Sequence, residues 1–155
     1  KTNMPSKNTS FQENPDETFK YENISTYIQK EPYLIKKYSN KPCAYYNKPK
    51  IIFAHKMYGL PFLDKEGKYG ICNRDNYIIT NKSDQELEIM LYYMNHPIIY
   101  FLYETTRYRM RYLEKYAFEF IFDFSVHFKD NSTCLYNFFN LNQFEKKFIE
   151  TFKKC

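Results

Sequence analysis

Tryptophan is absent from this 155-residue chain, glycine occurs only 3 times, and the 4 cysteines form no CxxC pair. Each scarcity removes a class of chemistry. Three glycines leave little room for a glycine-rich loop, which needs several to bring its backbone against phosphates. Cys43, Cys72, Cys134 and Cys155 are dispersed. Free thiols in a reducing, intracellular compartment are therefore a simpler reading than two disulfides. His55, His96 and His127 lack metal-ligand spacing, so no metal site is assigned. The longest apolar run, around Ile98 to Tyr103, falls far short of the roughly 18 residues that span a bilayer, so no membrane partner is expected. Asp64 and Glu66 read as turn chemistry rather than a catalytic carboxylate pair. No Ser/His/Asp or Cys/His arrangement can be argued. The chain is expected to hold no catalytic residue and no cofactor.

What is abundant is aromatic. Phe (15) and Tyr (17) make the chain 21% aromatic, within a hydrophobic fraction of 43%. A chain of this length folds by default as one domain and buries roughly 68–70% of its unfolded surface, so these rings must carry much of the core. The net charge of +5, from 23 basic and 18 acidic residues, favours polyanions only where it is clustered. Abundant Lys, Asn, Ile, Tyr and Phe beside scarce Ala and Gly is also the coding bias of an AT-rich genome. The chain opens on Lys1 rather than Met, as a fragment or a processed form would.

Residues 1–18, polar and broken by Pro5 and Pro15, read as a flexible arm that drapes over the fold or a partner. Residues 19–155 read as a single α+β domain. A helical turn is expected over Ser25 to Lys30, ahead of Pro32. Lys50 to Ala54 reads as a buried strand. Leu60 to Leu63 and Lys68 to Cys72 flank Asp64-Lys65-Glu66-Gly67, which reads as a hairpin turn with glycine at a positive φ. Tyr77 to Thr80 adds a further strand, completing a small twisted antiparallel sheet.

Ser83 and Glu86 have capping-box spacing. Leu87, Met90, Leu91 and Met94 then share a helical face. His96-Pro97 ends that helix and starts another, with Ile98, Phe101, Leu102 and Thr105 on one side. A strand is expected near Phe118 to Phe122. C-terminal helices close the core, the last opening at Asn142 with Phe144, Phe148 and Phe152 aligned.

Between these elements, Arg107, Arg109 and Arg111 alternate with Tyr108, Met110 and Tyr112. On a strand the three arginines align; on a helix Arg107, Arg111 and Lys115 do. Guanidinium forks suit bidentate contact with phosphates and base edges. Against this stands a solvated basic edge paired with Glu104 or Glu114. His55, Lys56, Met57 and Tyr58, and Asn73 to Asn76, sit at strand ends where loops reach a groove, or serve as ordinary turns.

The order PKIIFAHKMYGLPFLDKEGKYGICNRDNYII, followed by EIMLYYMNHPIIYFLYETTRYRMRYLEKYAFEFIFDF, resembles the target-recognition domain of TaqI-like adenine-N6 DNA methyltransferases. The resemblance covers about Lys48 to Glu150. Met94-Asn95-His96 stands where that family has a Leu-Asn-Ser-like turn. Phe120-Ile121-Phe122 stands at its Pro-Ile-Pro-like exit, without the proline. The family's Asn/Asp-Pro-Pro-Tyr/Phe motif and glycine-rich cofactor loop are missing, so the resemblance implies recognition without methyl transfer. Stand-alone relatives in large DNA viruses would suit the coding bias.

The resulting expectation is a non-catalytic module gripping duplex DNA. Lys50, Lys56, Arg107, Arg109 and Arg111 would hold phosphates. Lys56, Tyr58, Arg74 and Asn76 would read bases, beside His55. The competing readings are a structural or interaction protein of a virus particle, or the C-terminal part of an adenine methyltransferase. Its protein partners would then be virion proteins or a methyltransferase catalytic domain, in host cytoplasm, nucleus or virion.

Overall fold

The computed structural model describes residues 2–27, 34–55, 61–108 and 112–152. It is an α+β fold with two small sheets and a helical C-terminal half. The second sheet is built on β4 (Lys50–Ala54), with β5 (Phe62–Asp64) and β7 (Asn76–Thr80) antiparallel on either side. Every residue of β4 is buried, and the period of two divides its side chains between two cores. Ile51 and Phe53 face the helices. Ile52 and Ala54 face a smaller cluster with Ile24, Tyr27 and Ile71.

That smaller cluster belongs to the first sheet, ordered β1 (Phe11–Gln12), β3 (Leu34–Ser39), β2 (Tyr21–Tyr27), β6 (Gly70–Ile71). β2 and β3 are antiparallel, with an irregularity between Ile24 and Thr26. β2 and β6 are parallel. Ser25 to Tyr27 is therefore strand, correcting the expected helical turn; residues 28–30 lie outside those described. The expected arm lies on the fold: β1 pairs with β3. Thr2, 5% exposed, donates its backbone N–H to Asn76 O at 2.9 Å.

The expected hairpin across Asp64 to Gly67 does not form. Gly67 has φ +68°, and a Cβ there would lie 2.6 Å from Lys48 N, so the turn itself is as the glycine suggests. The flanking strands nevertheless part, β5 staying with β4 and β6 crossing to β2. The Asp64 carboxylate redirects the chain by accepting from Lys68 N at 2.9 Å and Tyr69 N at 3.0 Å.

The helices begin where their caps dictate. α1 (Asp84–Met94) has both halves of the Ser83/Glu86 capping box. α2 (Pro97–Thr105) starts at Pro97, with His96 Nδ1 accepting from Ile98 N at 3.3 Å. Its buried face is Ile98, Ile99, Tyr100 and Tyr103, while Thr105 is exposed. This rotation from the expected face arises because nearly every side of α2 is apolar, so the sequence leaves it undetermined. Lys115–Phe120 forms a 3-10 helix rather than a strand ending at Phe122. Leu113 N–H bonds to His55 O at 2.7 Å, and Ala117 is fully buried. Phe118 turns inward onto Phe53 and Tyr77, with ring centroids 5.5 and 5.1 Å apart. α3 (Phe124–His127), α4 (Leu135–Phe138) and α5 (Gln143–Glu150) follow. α5 is capped by Asn142 and Glu145 as expected.

Candidate functional site

The sequence nominates nine side chains for DNA contact, and the structure describes five of them: Lys50, His55, Arg74, Asn76 and Arg107. Lys50 is fully buried, so it cannot grip a phosphate. Its ammonium donates to Asp64 Oδ2 at 2.5 Å and to the carbonyls of Tyr45 and Lys48, both at 3.1 Å. Burial pulls it below the ordinary lysine value, against the opposing pull of Asp64. Asn76 is also fully buried, its amide donating to Ser25 O and Asn73 Oδ1. It therefore ties the loop after β6 to β2 instead of reading a base. These two assignments are corrected for one reason: polar side chains that look surface-like in sequence have been drawn inside to satisfy backbone groups.

His55 is half-buried, its ring near Tyr77 and Tyr112 and its Nδ1 3.2 Å from Leu113 O. Arg107 lies at the surface with Nη2 3.1 Å from Glu104 Oε2, the pairing weighed against phosphate contact. Arg74 is exposed in the turn before β7. Lys56, Tyr58, Arg109 and Arg111 lie outside the described residues.

Other polar clusters among the described residues tie elements together. Glu22 receives Lys68 at 2.9 Å and Lys36 at 3.3 Å, with both ammonium groups over the Tyr69 ring. Partial burial opposes its charge, yet these bonds hold its carboxyl below the usual glutamate value. Lys82 joins Asp123 at 2.5 Å and Ser125 Oγ at 2.8 Å. These bonds tie the turn before α1 to the start of α3. Burial pushes the Cys72 thiol up to about 11 and Cys43 upward as well, which suppresses thiolate chemistry. Among the described residues no group of three His, Cys, Asp or Glu side chains could hold a metal ion. Among them, too, no helix is long and apolar enough to cross a membrane.

The most distinctive surface is aromatic. From the buried Phe124 and Phe128, edge-on ring contacts continue outward through Phe122 at 4.6 and 6.0 Å. Phe122 in turn meets Phe138 at 5.7 Å and Phe139 at 6.1 Å. Phe138 and Phe139 are 47% and 41% exposed, and Phe120, Phe144 and Phe148 are more open still. The end of α4 holds the first pair in place. Asn140 takes φ 53°, its N–H bonds to Asn137 O, and Leu141 N–H reaches back to Tyr136 O at 2.9 Å. This is a Schellman closure with asparagine in the left-handed position. On α5, Phe148 packs on Phe101 and Phe152 at 6.2 and 5.4 Å, whereas Phe144 stands 79% exposed. The aromatic surplus and the Phe138-Phe139-Asn140 run were visible in the sequence. Which rings remain outside was not.

No family model matches the chain, and comparison with curated proteins and with solved structures finds no significant likeness to any of them.

Proposed function

We propose that this protein is a non-catalytic interaction module that binds another protein through its exposed phenylalanine surface. The observation that carries this is the outward path from Phe122 to Phe138 and Phe139. Covering an exposed phenylalanine is worth about 1.5–3 kcal/mol, and large apolar patches on soluble proteins mark contact sites. Recognition of duplex DNA, the family-derived expectation, has less support because Lys50 and Asn76 are interior and Arg107 is paired with Glu104.

The test compares the full chain with a Phe138→Asp/Phe139→Asp variant as bait for proteins from its native source, with thermal melts confirming folding. The variant should lose the retained partner by about tenfold or more. A salt-titrated duplex-DNA arm runs alongside. Equal retention by both forms, together with salt-dependent duplex binding that outlasts a heparin control, would replace this reading with the DNA one.

A further inference from the structure

Two cysteines share one covered face of the first sheet. Ile24 and Ile71 are register partners and both belong to the smaller core, so Asn23 and Gly70, also partners, face the other side. By the same period of two, Cys72 shares that side with Gly70. The Ser25 hydroxyl bonded to its thiol agrees. Over this face runs the segment that leaves β3. Asn23 Nδ2 donates to Ser39 Oγ at 2.9 Å, and Cys43 Sγ lies 3.9 Å from the same hydroxyl. A Cβ built on Gly70 would stand 3.0 Å from Cys43 Cβ. Cys43 and Cys72 thus lie on one face, 9% and 8% exposed, and both are thiols.

The backbone sets them opposite each other. Ala44 and Ile71 form an antiparallel bridge, with Ile71 N–H bonded to Ala44 O at 3.0 Å. One residue along from that bridge, in opposite chain directions, stand Cys43 and Cys72. Next to a hydrogen-bonded pair an antiparallel ladder places a non-hydrogen-bonded pair, with Cα atoms about 4.5 Å apart and side chains close together. A disulfide accepts Cα separations of roughly 4.4–6.8 Å. The missing side chain at Gly70 is what admits Cys43 to this position.

We propose that Cys43 and Cys72 are a redox pair, closing under an oxidising thiol–disulfide poise into a cross-strand disulfide that staples the segment after β3 to β6. The oxidant is a small-molecule disulfide such as oxidised glutathione. One cysteine thiolate attacks it, forming a mixed disulfide and expelling one glutathione thiolate. The second cysteine thiolate attacks the protein sulfur of that mixed disulfide and expels the other. Two protons pass from the cysteines to the two glutathione thiols, and two electrons pass from the pair to the oxidant. Burial makes both protein thiolates costly. Ionisation therefore does nothing for the reduced form, the reverse of strongly oxidising dithiols whose reduced state is stabilised. The closed bond is slow to form and resists reduction. It spans a loop holding β4, β5 and β6, and so removes freedom from the unfolded chain. The pair sits in the first sheet and the phenylalanine surface on the C-terminal helices, so this inference stands or falls apart from the partner-binding reading.

The test takes the full chain carrying Cys134→Ser and Cys155→Ser, equilibrates it folded in mixtures of oxidised and reduced glutathione, then quenches in acid and alkylates in denaturant. The oxidised chain should be lighter by about 2 Da and take up no alkylating label, and digestion should give one peptide pair joined through Cys43 and Cys72. The linked form should exceed mixed glutathione adducts at least about tenfold. It should melt about 5 °C or more above the reduced form, and dithiothreitol should reverse the shift. The chain with all its cysteines, mapped in the same way, should carry the same linkage, which frees the result from the serine substitutions. Cys43→Ser should abolish both the linkage and the melting shift. Glutathione adducts in place of the linkage, two alkylated thiols at every mixture, or a linked form that melts below the reduced one overturns the inference. So does a linkage that forms only in denaturant.

Discussion

Lys50 shows how far one residue's role depends on its neighbours. It opens an apolar run, where a lysine ordinarily marks a strand's solvent end. Here all three ammonium protons are taken by Asp64, Tyr45 O and Lys48 O inside the fold. Removing one member of such a buried pair strands the other charge and typically costs about 3–5 kcal/mol. Lys50→Met is expected to lose stability on that scale in urea titrations, with little salt dependence. Arg107→Ala removes an exposed pair and should change stability by no more than about 0.5 kcal/mol. A small loss at Lys50 would show that the interior pair is not what fixes the β4–β5 junction.

Elements divide into those announced locally and those decided at a distance. The Ser83/Glu86 and Asn142/Glu145 boxes and Pro97 are short-range devices, and α1, α2 and α5 begin where the sequence places them. β6 is different: two residues long, it joins β2 in parallel rather than β5 in a hairpin. Gly70 makes that approach feasible. A Cβ at position 70 would fall 2.3 Å from Asn23 Oδ1 and 3.0 Å from Cys43 Cβ. Asn23 is fully buried and donates to Tyr21 O and Ser39 Oγ at 2.7 and 2.9 Å, so it cannot yield freely. Gly70→Ala should cost about 1–3 kcal/mol, read as a lower denaturant midpoint at unchanged m-value. The arginine run was ambiguous for a related reason: helix and strand readings each aligned a different set, and no short-range signal chose between them.

At the scale of the whole molecule, the aromatic surplus gives the core an alkaline weakness. Burial raises the Tyr27, Tyr100 and Tyr103 phenols above the ordinary value of 10.0, and Tyr77 to about 12. The unfolded chain ionises these groups near 10.0 while the fold keeps them protonated, so it is the unfolded state that gains by releasing protons. Stability from this source is complete below about pH 10 and declines as pH rises through the folded values. Urea midpoints should hold steady up to about pH 9 and fall steeply above 10. Phenolate absorbance from these rings should rise together with the loss of ellipticity. Gradual ionisation well before unfolding would mean that the core admits water.

Composition, caps and spacing by themselves determined an aromatic-cored α+β chain, the start of each long helix and a glycine-bearing turn after β5. These depend on groups within a few residues of one another. Which strands pair, which way α2 faces, why Lys50 and Asn76 lie inside and which phenylalanines lie outside were settled only by tertiary structure. Each depends on hydrogen-bond acceptors or apolar surface brought from tens of residues away, and no local pattern carries that information.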